Sequence, residues 1–120
     1  MPREIITDIR DRKHFNDLIL ENPGLFFVKF GAEWCSPCKV IENDVKKAFQ
    51  EMPDNVQCAI IDIDNNLDLY AYLKMKKMVS SIPAILCYEK ENVYICPNEF
   101  HFGSDKNKLK EFFDRCMELL

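Results

Sequence analysis

The sequence predicts an α/β domain in which helices flank both faces of a central mixed β-sheet. Short apolar runs, such as residues 25–30 and 56–63, are typical of strands that are buried on both sheet faces. Longer stretches carry apolar residues at spacings of three and four, as amphipathic helices do. The two kinds of segment alternate along 120 residues, which is the size of one domain spanning residues 1–120.

The first half of the chain contains alternating strands and helices. Its predicted elements are, in order, a short strand at 5–6, a helix at 11–20, a strand at 25–30, a helix at 37–52 and a strand at 56–63. The breaker sequence Asn22-Pro23-Gly24 ends the first helix, and Pro53-Asp54-Asn55 ends the second.

The second half adds two helices and two strands. The predicted elements are a helix at 67–78, a strand at 84–88, a strand at 93–96 and a helix at 105–120. A polar turn at residues 89–92 would allow the two strands to pair as a hairpin. Residues 97–103 are expected to be irregular.

Composition excludes several functional classes. The chain has 16 basic and 20 acidic residues, and this mildly acidic balance argues against nucleic-acid binding and against a polybasic membrane patch. The first residues are interrupted by charges, so they do not resemble a signal peptide, and no apolar run is long enough to span a bilayer. We therefore expect a cytoplasmic protein with no membrane attachment, in which thiols are kept reduced.

Cys35 and Cys38 are the candidate catalytic residues, since they lie where a buried strand leads into a helix. Residues three apart on a helix share a face, and their spacing is compatible with a disulfide. Cys35 falls at the helix N-terminus, where unpaired N–H groups and the helix dipole stabilise a thiolate nucleophile. Pro37 suits the first helical turn because its missing N–H is not needed there.

Two other interpretations of this cysteine pair remain open. A structural zinc ion would need a second pair of ligands, and the candidates are not closely spaced. Those candidates are Cys87, Cys96, Cys116 and His101. Simple burial of the pair is the other alternative. No metal site is expected.

Three motifs in the correct order resemble the thioredoxin family. They are Trp34-Cys35-Ser36-Pro37-Cys38-Lys39, Ile82-Pro83 and Phe102-Gly103. Ala32-Glu33 before the cysteines, and Asp62 with Asp64, also match the family pattern, and the resemblance covers nearly the whole chain. It implies a thioredoxin fold, with Cys35 as the attacking thiolate, Cys38 as the resolving thiol and Pro83 as a cis-proline. It also implies a substrate-binding surface formed by Trp34, Ser36, Pro37, Ile82, Pro83, Phe102 and Gly103.

The resemblance implies a thiol–disulfide oxidoreductase that reduces disulfides in other proteins. It would need no bound cofactor, because electrons would arrive from an NADPH-dependent thioredoxin reductase, and the protein would be a monomer. The alternative is a thioredoxin-fold adaptor that binds a specific partner and has only secondary redox activity. Intact cysteines favour the enzyme, since an adaptor has no need of both.

Several residues depart from the family pattern. Lys29 occupies the strand position where the family usually carries a buried aspartate, and it could tune the cysteines or extend into solvent. Ser36 replaces the usual glycine, and its hydroxyl could donate to Cys35. Asp62 and Asp64 are expected to cap a helix, with tuning of the cysteines as the alternative. The 93–103 segment is longer than usual, which could narrow the range of partners.

The remaining cysteines are expected to be small buried hydrophobic residues. These are Cys58, Cys87 and Cys116, whereas Cys96 is the most plausible exposed and reactive thiol. His101 is expected to lie in a surface loop.

Overall fold

The structure, a computed structural model, describes residues 2–120, so Met1, the first residue of the predicted domain, lies outside the described residues. Within this range the elements, in order, are α1 (Arg12–Leu20), β1 (Leu25–Gly31), α2 (Ser36–Gln50), β2 (Val56–Asp62), a 3₁₀ turn (Ile63–Asn65), α3 (Leu67–Met75), β3 (Ala84–Glu89), β4 (Glu99–Phe102) and α4 (Lys106–Glu118).

The strands form a mixed sheet in the order β2-β1-β3-β4. β1 is central and pairs in parallel with β2, where Phe27 lies opposite Cys58. Its other neighbour is β3, which runs antiparallel and pairs Phe30 with Ala84. β4 then pairs antiparallel with β3 and forms one edge of the sheet. The predicted mixed sheet is confirmed.

Alternate residues of β1 supply two separate hydrophobic cores, because successive side chains of a strand point to opposite faces. Phe26, Val28 and Phe30 pack with α1 and α3. Leu25 and Phe27 pack with α2 and α4. Helices therefore cover both faces of the sheet, as the nearly continuous apolar sequence of β1 predicts.

Side-chain caps explain where the first and last helices begin. The Asp11 carboxylate accepts a hydrogen bond from the His14 N–H, and the Asp105 carboxylate accepts from the N–H groups of Asn107 and Lys108. These bonds satisfy donors that an isolated helix end leaves unpaired. The predicted helices at 11–20 and 105–120 thus start at their capping residues.

The first predicted strand and the third predicted helix are shorter in the structure. The strand expected at residues 5–6 is a single bridge between Ile6 and Ala59. The helix expected to reach Met78 ends at Met75, because Lys77 adopts a left-handed conformation with φ of 64°. Backbone bonds from Lys77 and Met78 to α3 carbonyls close that end, as in helix C-caps. Lysine does not favour this conformation as glycine does, so the sequence gives no indication that the helix ends here.

The hairpin predicted at 93–96 is wrong, and the strand that pairs with β3 is β4, within the segment expected to be irregular. Asparagine side chains explain the difference. Asn92 donates to the Cys96 carbonyl at 2.8 Å and to the Asn98 side chain at 2.9 Å. Asn98 in turn accepts from the Glu89 N–H. These local bonds replace strand pairing and leave residues 90–98 as an ordered loop.

Candidate active site

The three motifs of the sequence meet at one end of the sheet. Phe30, near the end of β1, pairs with Ala84, the first residue of β3. Ala84 also pairs with Phe102, the last residue of β4. The chain that leaves β1 toward Cys35 therefore lies beside the chain that enters β3 from Pro83 and the chain that leaves β4 toward Gly103.

Cys35 is the N-cap residue of α2 and is bonded to Cys38 as a disulfide, with their Cα atoms 5.3 Å apart. The Cys35 sulfur accepts a hydrogen bond from the Cys38 N–H at 3.2 Å. Pro37 lies in the first turn, where its missing N–H leaves no bond unmade. When the disulfide is reduced, this arrangement aims a backbone donor and the positive end of a 15-residue helix at the Cys35 sulfur.

The Ser36 hydroxyl is not the donor to Cys35 that the sequence suggested. Among residues 2–120, the hydrogen bond to the Cys35 sulfur comes from the Cys38 backbone. Ser36 is exposed at the first position of α2, next to Pro37.

Trp34 projects from the site, with 66% of its surface exposed. Its indole N–H donates to the Asp64 carboxylate at 2.9 Å. Asp62 accepts from the Asp64 N–H at 2.8 Å and so caps the 3₁₀ turn, as expected. The two aspartates thus hold the turn and the indole, and Asp64 positions Trp34 beside the cysteines.

On the other side of the motif, the Ile82–Pro83 peptide is cis, as the resemblance implied. The Gly103 N–H donates to the Pro83 carbonyl at 3.0 Å, which ties the end of β4 to the start of β3. Gly103 has φ of 93°, a conformation that favours glycine. Phe102 is half-buried and packs against Phe100, with ring centroids 5.1 Å apart.

An open cavity of about 840 Å³ lies behind Cys38. Lys29 is buried in its wall with only 5% of its surface exposed. Burial lowers the pKa of the Lys29 ammonium, while the Glu42 carboxylate opposes that change and Lys46 adds to it. Of the two orientations left open by the sequence, Lys29 therefore takes the one beside the cysteines. The other cavity residues include Thr7, Gly31, Trp34, Lys39, Ile60, Asp62 and Asp64.

Sequence reasoning missed Glu42 and misplaced His101. Glu42 lies one turn beyond Cys38 on α2 and lines the cavity, but an isolated glutamate on a helix carries no signal. His101 is buried in β4, with Nε2 2.9 Å from the Gly103 carbonyl oxygen and its ring against Phe112. Burial lowers the pKa of His101. Its alternation with Phe100 and Phe102 could have indicated a strand.

The burial of the cysteines outside the motif is as predicted. Cys58, Cys87 and Cys116 are buried as free thiols, whereas Cys96 is exposed. Within the described range, no group of three His, Cys, Asp or Glu residues is arranged to hold a metal ion. Nor does any helix of residues 2–120 have the length and apolar character needed to cross a membrane.

Comparisons with known proteins extend over most of the chain. The thioredoxin family model matches residues 6–115. Thioredoxin of Mycoplasma pneumoniae is 31% identical over 86 residues, which are 72% of this chain and 78% of that protein. Mitochondrial thioredoxin of Bos taurus is 27% identical over 108 residues, which are 90% of this chain and 61% of that protein. The chain therefore spans less than two thirds of the bovine relative's length.

Among solved structures, the thioredoxin of Fasciola hepatica superimposes with a TM-score of 0.72. It is 27% identical, and the match covers 92% of this chain and 99% of that one. A Trichomonas vaginalis thioredoxin, 28% identical, gives a TM-score of 0.67 over 92% of this chain and 96% of its own.

Proposed function

The chain belongs to the thioredoxin family, and from this premise we propose that the whole protein is a thiol–disulfide oxidoreductase that reduces disulfides in other proteins. The expected thioredoxin fold is confirmed. The family match and the bonded cysteine pair both support dithiol–disulfide exchange. The single observation that carries the proposal is that Cys35 caps α2 while bonded to Cys38.

In the first step, we propose that the reduced Cys35 thiolate attacks one sulfur of a substrate disulfide. A bond forms between Cys35 and that sulfur, and the substrate's other sulfur leaves as a thiolate that takes a proton from water. The Cys38 N–H and the N-terminus of α2 favour the thiolate form of Cys35 before the attack.

In the second step, Cys38 loses its proton and attacks the Cys35 sulfur of the mixed disulfide. The Cys35–Cys38 disulfide forms, and the substrate's remaining sulfur leaves as a thiolate. Two electrons have then passed from the cysteine pair to the substrate. Under this proposal, a thioredoxin reductase that uses NADPH returns the pair to the dithiol, and the chain needs no cofactor of its own.

The substrate would lie on the surface beside Cys35. Trp34 is exposed there, and its indole is held by Asp64. The chain around Pro83 and Gly103 supports binding of an extended polypeptide, since a proline has no N–H and leaves the neighbouring backbone free to pair. We assign the same role to the other residues of this surface, which are Ser36, Pro37, Ile82 and Phe102.

We also propose that residues 1–120 act as a single domain and a monomer in the cytoplasm. The four free cysteines support a compartment in which thiols stay reduced. Sedimentation of the purified protein and its localisation in cells would test these points.

Insulin reduction tests the main proposal. With dithiothreitol, and separately with NADPH and a thioredoxin reductase, the protein should accelerate precipitation of reduced insulin. Cys35→Ser should abolish the effect, and Cys38→Ser should form a mixed disulfide with the substrate that mass spectrometry detects. A folded protein that reduces no disulfide in either assay would contradict the proposal and favour the adaptor.

A further inference from the structure

Lys29 is a buried charged residue near the cysteines that the proposed mechanism leaves without a role. It belongs to β1, the central strand, where its neighbours in sequence are apolar. Lys29 and Gly31 share the strand face of Phe27, which packs against α2 and α4. The lysine side chain therefore lies beneath the helix that carries Cys38.

Gly31 leaves an open space between Lys29 and Cys38. A Cβ atom at position 31 would lie 3.5 Å from the Cys38 sulfur and 3.9 Å from Cε of Lys29. The sulfur and Cε thus border the same small volume, and the ammonium nitrogen is bonded directly to Cε. Both residues also line the open cavity, which gives water access to them. Among residues 2–120, Cys38 lines this cavity, whereas Cys35 does not.

No carboxylate of the described part of the chain, residues 2–120, neutralises Lys29 by direct contact. Among residues 2–120, none of the ion pairs within 4.0 Å includes Lys29. Glu42 is the main source of negative charge acting on it, and it is shared with Lys46, whose ammonium lies 3.5 Å from the Glu42 carboxylate. The other charged groups that line the cavity are Glu33, Lys39, Asp62 and Asp64.

We propose that the Lys29 ammonium stabilises the Cys38 thiolate in the mixed disulfide and thereby accelerates resolution, which is the attack of Cys38 on the Cys35 sulfur. Resolution requires the buried Cys38 to lose its proton, and desolvation disfavours a thiolate there. A cation across the space left by Gly31 offsets this penalty. Lys29 keeps its proton, and the proton of Cys38 passes to cavity water. The Cys38 sulfur then bonds to Cys35, and the substrate sulfur leaves with the electron pair.

This role rests on the proposed disulfide reductase, but it can be measured without catalysis. In a Cys35→Ser protein, Cys38 is the remaining thiol of the motif, and Ser suits the N-cap position that it enters. The rate at which iodoacetamide alkylates Cys38 is followed between pH 6 and 10 by mass spectrometry of its peptide. The same rates are then measured after adding Lys29→Met, Lys29→Arg or Lys47→Met.

Lys29→Met removes the charge and keeps the length of the side chain. It should shift the Cys38 profile to higher pH and slow alkylation at pH 7 about tenfold, which corresponds to one pKa unit. Lys29→Arg should restore most of the rate because it keeps the charge. Lys47→Met is the matched control, since it removes an exposed lysine farther along α2 and should leave the profile unchanged. Superimposable profiles with and without Lys29→Met, or equal shifts in the control, would overturn the proposal.

A second measurement uses the protein with both motif cysteines. Lys29→Met should slow insulin reduction and accumulate the mixed disulfide, while alkylation of Cys35 remains as fast as in the unsubstituted protein. Failure of the unsubstituted protein to reduce insulin would refute the proposed function and leave the Cys38 profile to decide on Lys29. If Lys29→Met instead reduces insulin as fast as the unsubstituted protein and accumulates no more mixed disulfide, the role of Lys29 is refuted and the proposed function stands.

Discussion

The Cys35–Cys38 pair and a second group of cysteines are buried to nearly the same degree but lie in different surroundings. Cys35 and Cys38 expose 5% and 4% of their surface. The second group, which we call the buried thiol cluster, consists of Cys58, Cys87 and Cys116, with 3%, 0% and 0% exposed. Depth alone therefore does not separate reactive from structural thiols in this chain.

Local electrostatics separates the two groups. Cys35 caps the N-terminus of α2 and accepts a backbone hydrogen bond, which favours a thiolate. Cys58 lies within β2, where burial raises the pKa of its thiol to about 12. A hydrogen bond with Cys116, together with burial, raises the pKa of Cys87. A helix N-terminus favours the thiolate of the cysteine that caps it, whereas a cysteine enclosed by sheet and helix remains a small apolar side chain.

Replacing cysteine with serine should remove activity at Cys35 and reduce stability at Cys58, and this is the largest contrast that we expect. Cys35→Ser should abolish insulin reduction and leave the stability of the reduced protein nearly unchanged, because Ser is a favoured N-cap. Cys58→Ser should keep its activity per folded molecule but lose about 1–3 kcal/mol in unfolding free energy, since it buries a hydroxyl. Activity assays and urea unfolding in dithiothreitol measure both quantities. A folded but inactive Cys58→Ser would contradict the comparison.

An aromatic residue of the core, Phe27, and one of the candidate active site, Trp34, extend the comparison to stability. Phe27 is fully buried and lies within 5.7 Å of Phe49 and 6.1 Å of Phe112, measured between ring centroids. Phe27→Ala should lower the unfolding free energy by about 3–5 kcal/mol, because it removes contacts and leaves a cavity. Trp34→Ala removes a mostly exposed ring and should lower it by about 1 kcal/mol or less, through loss of an exposed hydrogen bond. Similar losses for the two variants, measured by urea unfolding, would show that the site also supports the core.

His101, which lies in β4, should make the unfolding free energy of the protein depend on pH. Because burial lowers its native pKa, the unfolded chain binds the proton more readily, and stability falls as pH drops through about 6.5 toward the native value. His101→Gln should flatten this part of the profile. Urea midpoints between pH 5 and 8 would measure the difference between the two proteins. Parallel profiles would exclude His101 as a source of the dependence.

The smallest expected effect concerns the support of Trp34. Asp64→Ala removes the acceptor of the indole hydrogen bond and should lower stability by about 1 kcal/mol or less, because the bond is exposed. Trp34 is the chain's single tryptophan, so its fluorescence reports the loss directly. Asp17→Ala serves as a control, since it removes a half-buried carboxylate from α1, away from Trp34, and should leave the emission unchanged. An unaltered spectrum in Asp64→Ala would indicate that Asp64 does not hold the indole.

Local patterns in the sequence were enough to predict most of the elements. The buried run of β1, the spacing of the helices and the breaker sequences between them indicated an α/β domain with nearly correct bounds. Cys35 and Cys38 were recognisable because a cysteine pair between a strand and a helix start has a chemical meaning of its own. The order of the three motifs was enough to indicate the family.

The position of β4, the orientation of Lys29 and the burial of His101 follow from contacts between separate elements. Hydrogen bonds from the Asn92 side chain to Cys96 and Asn98 hold the 90–98 loop. Their spacing in the sequence follows no regular pattern, so the strand pattern at 93–96 was misleading. Lys29 lies in a strand whose faces look alike in sequence, and it lies beneath α2 because the strand face that it shares with Phe27 packs against α2 and α4. Such contacts join residues from separate elements, and the free energy that selects them arises only when those elements pack together.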